Sequence, residues 1–251
     1  MMGLFDTALS RPLRRTSHSH VVNELGREIV SGAIPIGSIL PGDNELADRF
    51  KVSRTVLREA MKTLSAKGLI VPRARIGTRV TERKQWNLFD ADVLSWHLER
   101  GFDRLFLIHL SEMRLSFEPS AAELAAKRAT PENVRALLRI ADEMSSAGTP
   151  EDLIRADLQF HLTVLQACEN PFMYNVGSLI EAALVGAFGL SSPDRPSREF
   201  QEIGHSHHLI AEAISRRDPP AAAEAMRQVI LIGRDHALGR VDGGKAPPEA
   251  D

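Results

Sequence analysis

Cysteine is nearly absent from this chain of 251 residues, which contains Cys168 alone. A single cysteine excludes an internal disulfide framework and a zinc site built on several thiolates. Aromatic residues make up only 5% of the sequence. No apolar run approaches the ~18 residues that a membrane-spanning helix needs, and the first residues lack the apolar core of a secretory signal. We therefore expect a cytoplasmic protein.

The charge of the chain is distributed unevenly along its length. Residues 1–84 carry 15 Lys and Arg against 8 Asp and Glu, whereas residues 85–251 carry 16 against 25. The overall content of 43% hydrophobic and 25% charged residues is ordinary for a globular protein. A basic N-terminal part joined to an acidic one indicates that only the first part contacts a polyanion such as nucleic acid.

Three helix patterns occupy the basic part. The first begins at Ser19 and ends before Gly32, a short second one carries Leu46 and Ala47, and a third covers residues 54–67. Ser53 is placed to cap the third helix. In that helix, apolar residues recur at the spacing of a buried face: Leu57, Ala60, Met61 and Leu64.

Two short strand patterns, residues 69–71 and 78–81, follow and flank a basic tip. This order of elements predicts a winged helix-turn-helix domain over residues 19–84, with a basic helical hairpin as the alternative. Residues 1–18 are either a mobile basic arm or a plain disordered tail. Arg side chains can read guanine in a major groove, and hydroxyls can hold phosphates. The candidate DNA-contacting residues are therefore Ser53, Arg54, Thr55, Arg58, Arg73 and Arg75.

The acidic part has helical periodicity throughout. Proline and glycine breaks divide it into predicted helices near residues 90–100, 103–128, 131–147, 150–169, 171–190, 197–217 and 219–238. We expect a mainly α protein: residues 85–102 form a linker with a first helix, residues 103–238 an all-α bundle, and residues 239–251 a disordered tail. The absence of a glycine-rich phosphate loop from this sequence argues against a nucleotide-dependent enzyme.

Polar residues interrupt the apolar stripes of these helices. Asp157 and His161 lie four apart within the stripe of Ile154, Leu158, Leu162 and Leu165, so their side chains are neighbours. His207 falls within the stripe of Ile203, Ile210 and Ile214, and Arg114 lies on or beside that of Leu107, Leu110 and Phe117. Together these four polar residues could bind a divalent metal and a carboxylate ligand.

Each of these polar residues also has a purely structural interpretation. Asp157 and His161 could form a simple buried pair, and His207 could be a core histidine with its hydrogen bonds satisfied. Arg114 could pair with one of three acidic residues: Glu112, Glu118 or Glu181. Cys168 is expected to be a small core residue.

The basic part closely resembles the winged-helix domain of GntR-type bacterial regulators. The match covers residues 20 to 81 and rests on an SGxIPxGxxLP loop, the run VSRTVLREAMKTLSAKGL and a GTxV wing. The resemblance implies that Ser53, Arg54, Thr55 and Arg58 contact an operator, and that the wing-tip Gly77 does so too. An arginine that touches DNA in the family is replaced here by Asn44, which can read adenine or hold a phosphate.

The acidic part resembles the FCD ligand-sensing domain of the FadR subgroup from about Asp103 to Ala237. The segments are SEMRLSFEPSAAELAAKRAT, ADLQFHLTVLQACENP and HHLIAEAISRRDPPAAAEAM. Many such domains hold a divalent metal, which implies Asp157, His161 and His207 as ligands, with zinc as the first choice. The last family histidine is replaced here by Val229, and His236 lies two turns further on. The resemblance also implies that Arg114 meets the carboxylate of an effector.

A narrower resemblance points to the type of regulator that represses D-galactonate operons. It rests on the linker QWNLFDADVLSWHLE together with SEMRLSFEP, and it implies a sugar-acid effector. We expect a homodimeric repressor, not an enzyme, that binds a pseudo-palindromic operator in double-stranded DNA and is released by a small carboxylate. The alternatives are a metal-dependent regulator of another organic acid, a bundle that only dimerises, and a metal enzyme fused to a DNA reader.

Overall fold

The computed structural model describes residues 16–99, 104–177, 180 and 198–243. Two compact units divide the chain, residues 1–101 and residues 102–251. In the described ranges, the first unit combines helices with one two-stranded sheet, and the second unit is helical. The expected class, a winged helix-turn-helix followed by a helical bundle, is confirmed. Most of the predicted N-terminal arm, residues 1–15, lies outside the described residues.

The first unit begins with three helices: α1 (Ser17–Ser31), α2 (Asp43–Phe50) and α3 (Arg54–Ala66). The Thr16 hydroxyl accepts a hydrogen bond from the Ser19 backbone and caps α1, which therefore starts two residues before the predicted Ser19. Ser53 caps α3 as expected, because its hydroxyl accepts from the Val56 backbone. Val21, Val22, Leu25 and Ile29 of α1 and Leu57, Ala60 and Leu64 of α3 are buried together in the core of this unit.

Strands β1 (Ile70–Arg73) and β2 (Gly77–Val80) form an antiparallel hairpin after α3. They are shifted by one or two residues from the predicted runs, because the pairing continues to Arg73 opposite Gly77 at the tip. Arg75 has a φ of 63° and Gly77 a φ of 110°. The left-handed backbone is strained for Arg75, whereas glycine adopts it freely. The hairpin is the predicted wing.

The linker packs against the first unit as far as Glu99. A 3₁₀ turn (Arg83–Gln85) leads into helix α4 (Ala91–Glu99), and Trp86 and Trp96 join the core of the first unit. The Trp96 indole nitrogen donates to Asn23 Oδ1 over 3.2 Å. A Cβ at Gly26 would lie 2.4 Å from the Trp96 ring, so this glycine permits the close approach of α1 and α4.

Six helices of the second unit are described: α5 (Arg104–Arg128), α6 (Pro131–Ser145), α7 (Pro150–Ala167), α8 (Pro171–Tyr174), α9 (Arg198–Ser215) and α10 (Pro219–Gly243). Thr130 and Thr149 cap α6 and α7, each followed by a proline in the first turn. Most breaks between these helices fall at the prolines, as the sequence predicts.

Two predicted helix boundaries in this unit differ from the structure. The helix expected over residues 171–190 is interrupted by a turn at Asn175 and Val176, after which Gly177 and Ile180 are helical again, and residues 181–190 lie outside the described residues. Helix α10 continues to Gly243 instead of ending at 238. Residues 244–251 of the predicted tail lie outside the described residues as well.

Helices α5, α7 and α9 surround a common interior. Helix α5 packs against α7, α9 and α10, while α6 packs against α7 and α9. Gly204 of α9 allows a very close crossing, since a Cβ there would lie 2.0 Å from Ser145 Oγ of α6. Within the described ranges, no helix is both long and apolar enough to cross a membrane.

Candidate functional site

The candidate DNA-contacting side chains are all exposed on the first unit. They occur in three places: the first turn of α2, the turn into α3 with its first two turns, and the wing tip. In chain order they are Asn44, Ser53, Arg54, Thr55, Arg58, Arg73, Arg75 and Gly77. The structure thus leaves every predicted contact residue accessible to a partner.

The four arginines in this set lack the ion pairs that two other arginines of the unit form. Across the part of the chain that the structure describes, none of the four has a carboxylate partner. Elsewhere in the same unit, Arg27 pairs with Glu24 and Glu99, and Arg49 pairs with Glu28. Helix α3 and the wing therefore present uncompensated positive charge, which suits phosphates and guanine edges.

Five polar side chains meet in the interior of the second unit, and none is more than 8% exposed. Arg114 and Glu118 come from α5, Asp157 and His161 from α7, and His207 from α9. All four residues that the sequence singled out for a metal and ligand site are present in this cluster. Glu118 is an addition, because sequence reasoning named it only as one of three possible partners of Arg114.

His161 is held on both sides of its ring. The Glu118 carboxylate contacts Nδ1, and Arg114 Nη2 lies 3.1 Å from Nε2. A guanidinium can only donate, so Nε2 must accept with its lone pair. Nδ1 then carries the proton and faces the Glu118 carboxylate. Arg114 also donates from Nε to Glu118 Oε1 over 2.5 Å, which makes Glu118 the common partner of the arginine and the histidine.

His207 also has a partner at each of its two ring nitrogens. Its Nδ1 lies 2.8 Å from the Ile203 carbonyl oxygen and must donate to it. Its Nε2 lies 2.8 Å from Asp157 Oδ1. His161 Nε2 is 3.8 Å from the same oxygen, so the simple Asp157–His161 pair considered from the sequence does not form. Asp157 Oδ2 is buried and has no hydrogen-bond partner among the described residues.

Both carboxyls of the cluster are held in the anionic form. Burial by itself raises the pKa of Glu118, but the charges of Arg114 and then His161 outweigh it and hold this pKa at about 2. Burial likewise opposes ionisation of Asp157, yet its pKa is lowered, chiefly by His207. Two carboxylates therefore share this interior with one permanent cation, Arg114, which favours a further positive charge there, either a proton on an imidazole or a metal ion.

The donor set fits a divalent metal. One ligand atom each from Asp157, His161 and His207 lies within 4.8 Å of the others, compared with about 3.4 Å in a tetrahedral shell with bonds of about 2.1 Å. His207 donates Nδ1–H to the Ile203 carbonyl oxygen and directs Nε2 at Asp157, which is the arrangement that metal-binding histidines adopt, and His161 has the Glu118 carboxylate against its Nδ1. Buried Asp157 Oδ2 lacks the partner that a metal would supply.

The remaining family position contributes no ligand. Val229 on α10 is half-buried and has no donor atom. His236, the other histidine considered, stays 54% exposed and lies 3.7 Å from Glu199. Neither joins the cluster, so the described residues supply three ligands and leave further coordination positions for an exogenous group.

The chain matches two known protein families in succession. Residues 17–80 match the gntR family of bacterial regulatory proteins, and residues 109–231 match the FCD domain. The HTH-type transcriptional regulator YieP of Escherichia coli K12 is 35% identical over 217 residues, covering 84% of this chain and 92% of that protein. The chain belongs to the GntR family of transcription regulators.

Two further proteins are similar to this GntR regulator. The galactonate operon transcriptional repressor of Escherichia coli K12 is 32% identical over 211 residues, covering 84% of this chain and 92% of that protein. The solved structure of Lar, which controls the agr system of Listeria monocytogenes, has a TM-score of 0.60 at 20% identity and covers 91% of this chain and 99% of that one. The second likeness shows the shared fold alone.

Proposed function

We propose that this GntR regulator is a homodimeric repressor that leaves its operator when a small carboxylate, of the sugar-acid type, binds in the helical unit. The observation that carries the proposal is the buried cluster of Arg114, Glu118, Asp157, His161 and His207. A bundle used only for dimerisation has no need of five buried polar residues, since burying them is costly without a ligand or full pairing.

The DNA-reading step uses the first unit. Ser53 starts α3 with its hydroxyl on the Val56 backbone, and the exposed Arg54 and Arg58 then lie on the part of a recognition helix that enters a major groove. Asn44 and the wing arginines Arg73 and Arg75 contact the adjacent backbone or base edges. A dimer repeats this arrangement on two half-sites, which explains the expected pseudo-palindrome.

The effector step uses the buried cluster. Asp157, His161 and His207 would hold a divalent metal, with zinc as the first choice because two imidazoles and a carboxylate suit it. When bound, such a metal supplies positive charge and open positions for a carboxylate oxygen. With a divalent cation bound to neutral imidazoles, the cluster would carry a net charge of +1. One monocarboxylate held by Arg114 would then make the cluster neutral.

Release follows if the carboxylate binds the DNA-free state more tightly than the DNA-bound state. Its effect on operator affinity equals that difference, typically about 1–3 kcal/mol or 5- to 150-fold. The Arg114 guanidinium is the group whose contacts change directly when an anion enters. Its loss should therefore separate DNA binding from effector response.

The test measures operator release in the full-length protein. An operator fragment is first selected from random DNA, and fluorescence anisotropy then follows its release by D-galactonate, D-gluconate and other monocarboxylates. We expect one acid to weaken binding about 5- to 150-fold. Arg114→Ala should bind the same DNA but lose this response, because no other described residue offers a buried guanidinium to the anion.

Arg139→Ala is the matched control for this experiment. Arg139 pairs with Glu143 at the same four-residue spacing as Arg114 with Glu118, but on the exposed side of α6. The control should respond to the acid as the unaltered protein does. A normal response of Arg114→Ala would reject the effector role of the cluster. Consumption of the bound acid would instead favour a metal enzyme fused to a DNA reader.

A further inference from the structure

Arg114 competes for an atom that the proposed metal site requires. Arg114 Nη2 donates to His161 Nε2 over 3.1 Å, and this nitrogen is one of the three inward-facing ligand atoms. An imidazole nitrogen has one in-plane lone pair, which can either accept a hydrogen bond or coordinate a metal. The two roles of His161 Nε2 exclude each other.

The alternative nitrogen of His161 is not available for coordination. In this tautomer Nδ1 carries the proton and lies against the buried Glu118 carboxylate. Metal binding through His161 therefore requires that Arg114 Nη2 leave Nε2. A guanidinium displaced in this way is buried and needs a new acceptor.

Glu118 restricts how far Arg114 can move. Arg114 Nε donates to Glu118 Oε1 over 2.5 Å, independently of the contact at Nη2. The side chain can thus remain anchored through Nε while its Nη end turns from His161 to another anion. The geometry of a guanidinium, with several donors in a rigid fork, suits such a change of partner.

We infer that Arg114 changes its partner when the metal binds. In the absence of metal its Nη end donates to His161 Nε2, and in the presence of metal the same end binds the effector carboxylate. Metal and carboxylate then bind with positive cooperativity, and the site selects acids with one carboxylate able to reach Arg114. This inference rests on the proposed metal function. It adds that Arg114 leaves His161 when the metal binds and is then available to hold the carboxylate. Arg114 also lowers the affinity of the site for metal alone.

The experiment measures Zn²⁺ affinity of the full-length protein by competition with a chromophoric chelator, with no acid present. Arg114→Lys keeps the positive charge, but in the same side-chain conformation its ammonium lies one bond short of the position of Nη2, which makes the 3.1 Å contact with His161 Nε2. We expect Arg114→Lys to bind Zn²⁺ about tenfold more tightly than the unaltered protein. Arg139→Lys, the exposed counterpart, should leave the affinity unchanged.

Arg114→Met distinguishes competition from simple charge repulsion. If Arg114→Met binds Zn²⁺ more tightly and Arg114→Lys does not, only the charge of Arg114 matters. That result would overturn the proposed change of partner. Unchanged affinity in both variants would overturn it as well. Zn²⁺ binding by Arg114→Lys but not by the unaltered protein would support the proposed change of partner. No binding by any protein would reject the metal proposal itself, and the exchange with it.

Discussion

At the scale of single residues, arginines that form an ion pair with a carboxylate differ from arginines that are available to a ligand. Arg27 and Arg49 are neutralised by carboxylates of their own unit, whereas Arg54 and Arg58 project from α3 without such partners among the described residues. An exposed, unpaired arginine contributes little to stability. Its replacement should affect DNA binding and leave folding unchanged.

Arg54→Ala and Arg58→Ala should each weaken binding to the selected operator by ~1–3 kcal/mol, because each removes contacts to base edges or phosphates. The melting temperature should not change, since both side chains are exposed. Anisotropy titrations and thermal melts provide the two readouts, with the paired Arg49→Ala as the control. Operator affinity equal to that of the unaltered protein would show that α3 is not the recognition helix.

Individual site residues were predictable from the sequence where a polar residue interrupts an apolar stripe. This signal identified Asp157, His161 and His207, which all proved buried. It missed Glu118, because an acidic residue four positions after an arginine is equally typical of an exposed helix pair. Only the packing of α5 against α7 reveals that Glu118 contacts both Arg114 and His161.

At the scale of elements, helix α4 is attached to the end of the recognition helix. Lys67, just after α3, lies 2.7 Å from both Asp90 and Asp92, and its side chain is only 11% exposed. Burial by itself lowers the pKa of Lys67, but hydrogen bonds from its ammonium to Asp90 and Asp92 outweigh burial, so the pKa is raised. This ion pair stabilises the linker against the first unit.

Replacing Lys67 by Met should lower the free energy of unfolding by about 1–2 kcal/mol near neutral pH, since charge-assisted hydrogen bonds are lost and a partly buried Asp90 is left unpaired. A raised lysine pKa stabilises the fold fully below the ordinary value of 10.5 and less as the pH rises through the folded value. The deficit of the variant should therefore shrink above pH 10.5.

Urea unfolding at pH 7 and above pH 10.5 measures this difference. Lys84→Met is the control, because Lys84 pairs with Glu82 while 79% exposed and should contribute little. A deficit that is absent at pH 7, or that grows in alkali, would contradict the role assigned to Lys67.

Helix boundaries set by caps were predictable, and those set by packing were not. Ser53 gave the start of α3 correctly because its hydroxyl acts locally on the Val56 backbone. The attachment of α4 to the first unit was missed, since it depends on Trp96 lying over Gly26, far away in sequence. The turn after Tyr174 was missed because the sequence between the proline at 171 and the next proline has no helix breaker of comparable strength.

At the scale of the whole molecule, the two units carry different kinds of candidate site. The basic unit presents unpaired arginines, and the helical unit encloses a buried site of mixed charge. The charge asymmetry and the family motifs were sufficient to predict this division from the sequence. The tautomers of His161 and His207 were not predictable, because they depend on acceptors from other turns and helices.

The most direct test of the account is the metal content of the purified, untagged protein prepared without chelator. Elemental analysis should find about one divalent metal, zinc first, per chain. Asp157→Ala should lose it, whereas Asp142→Ala, which alters an exposed carboxylate beside His208, should retain it. A protein without metal even after reloading with Zn²⁺, or equal metal in Asp157→Ala, would contradict the central claim that Asp157, His161 and His207 form a metal centre.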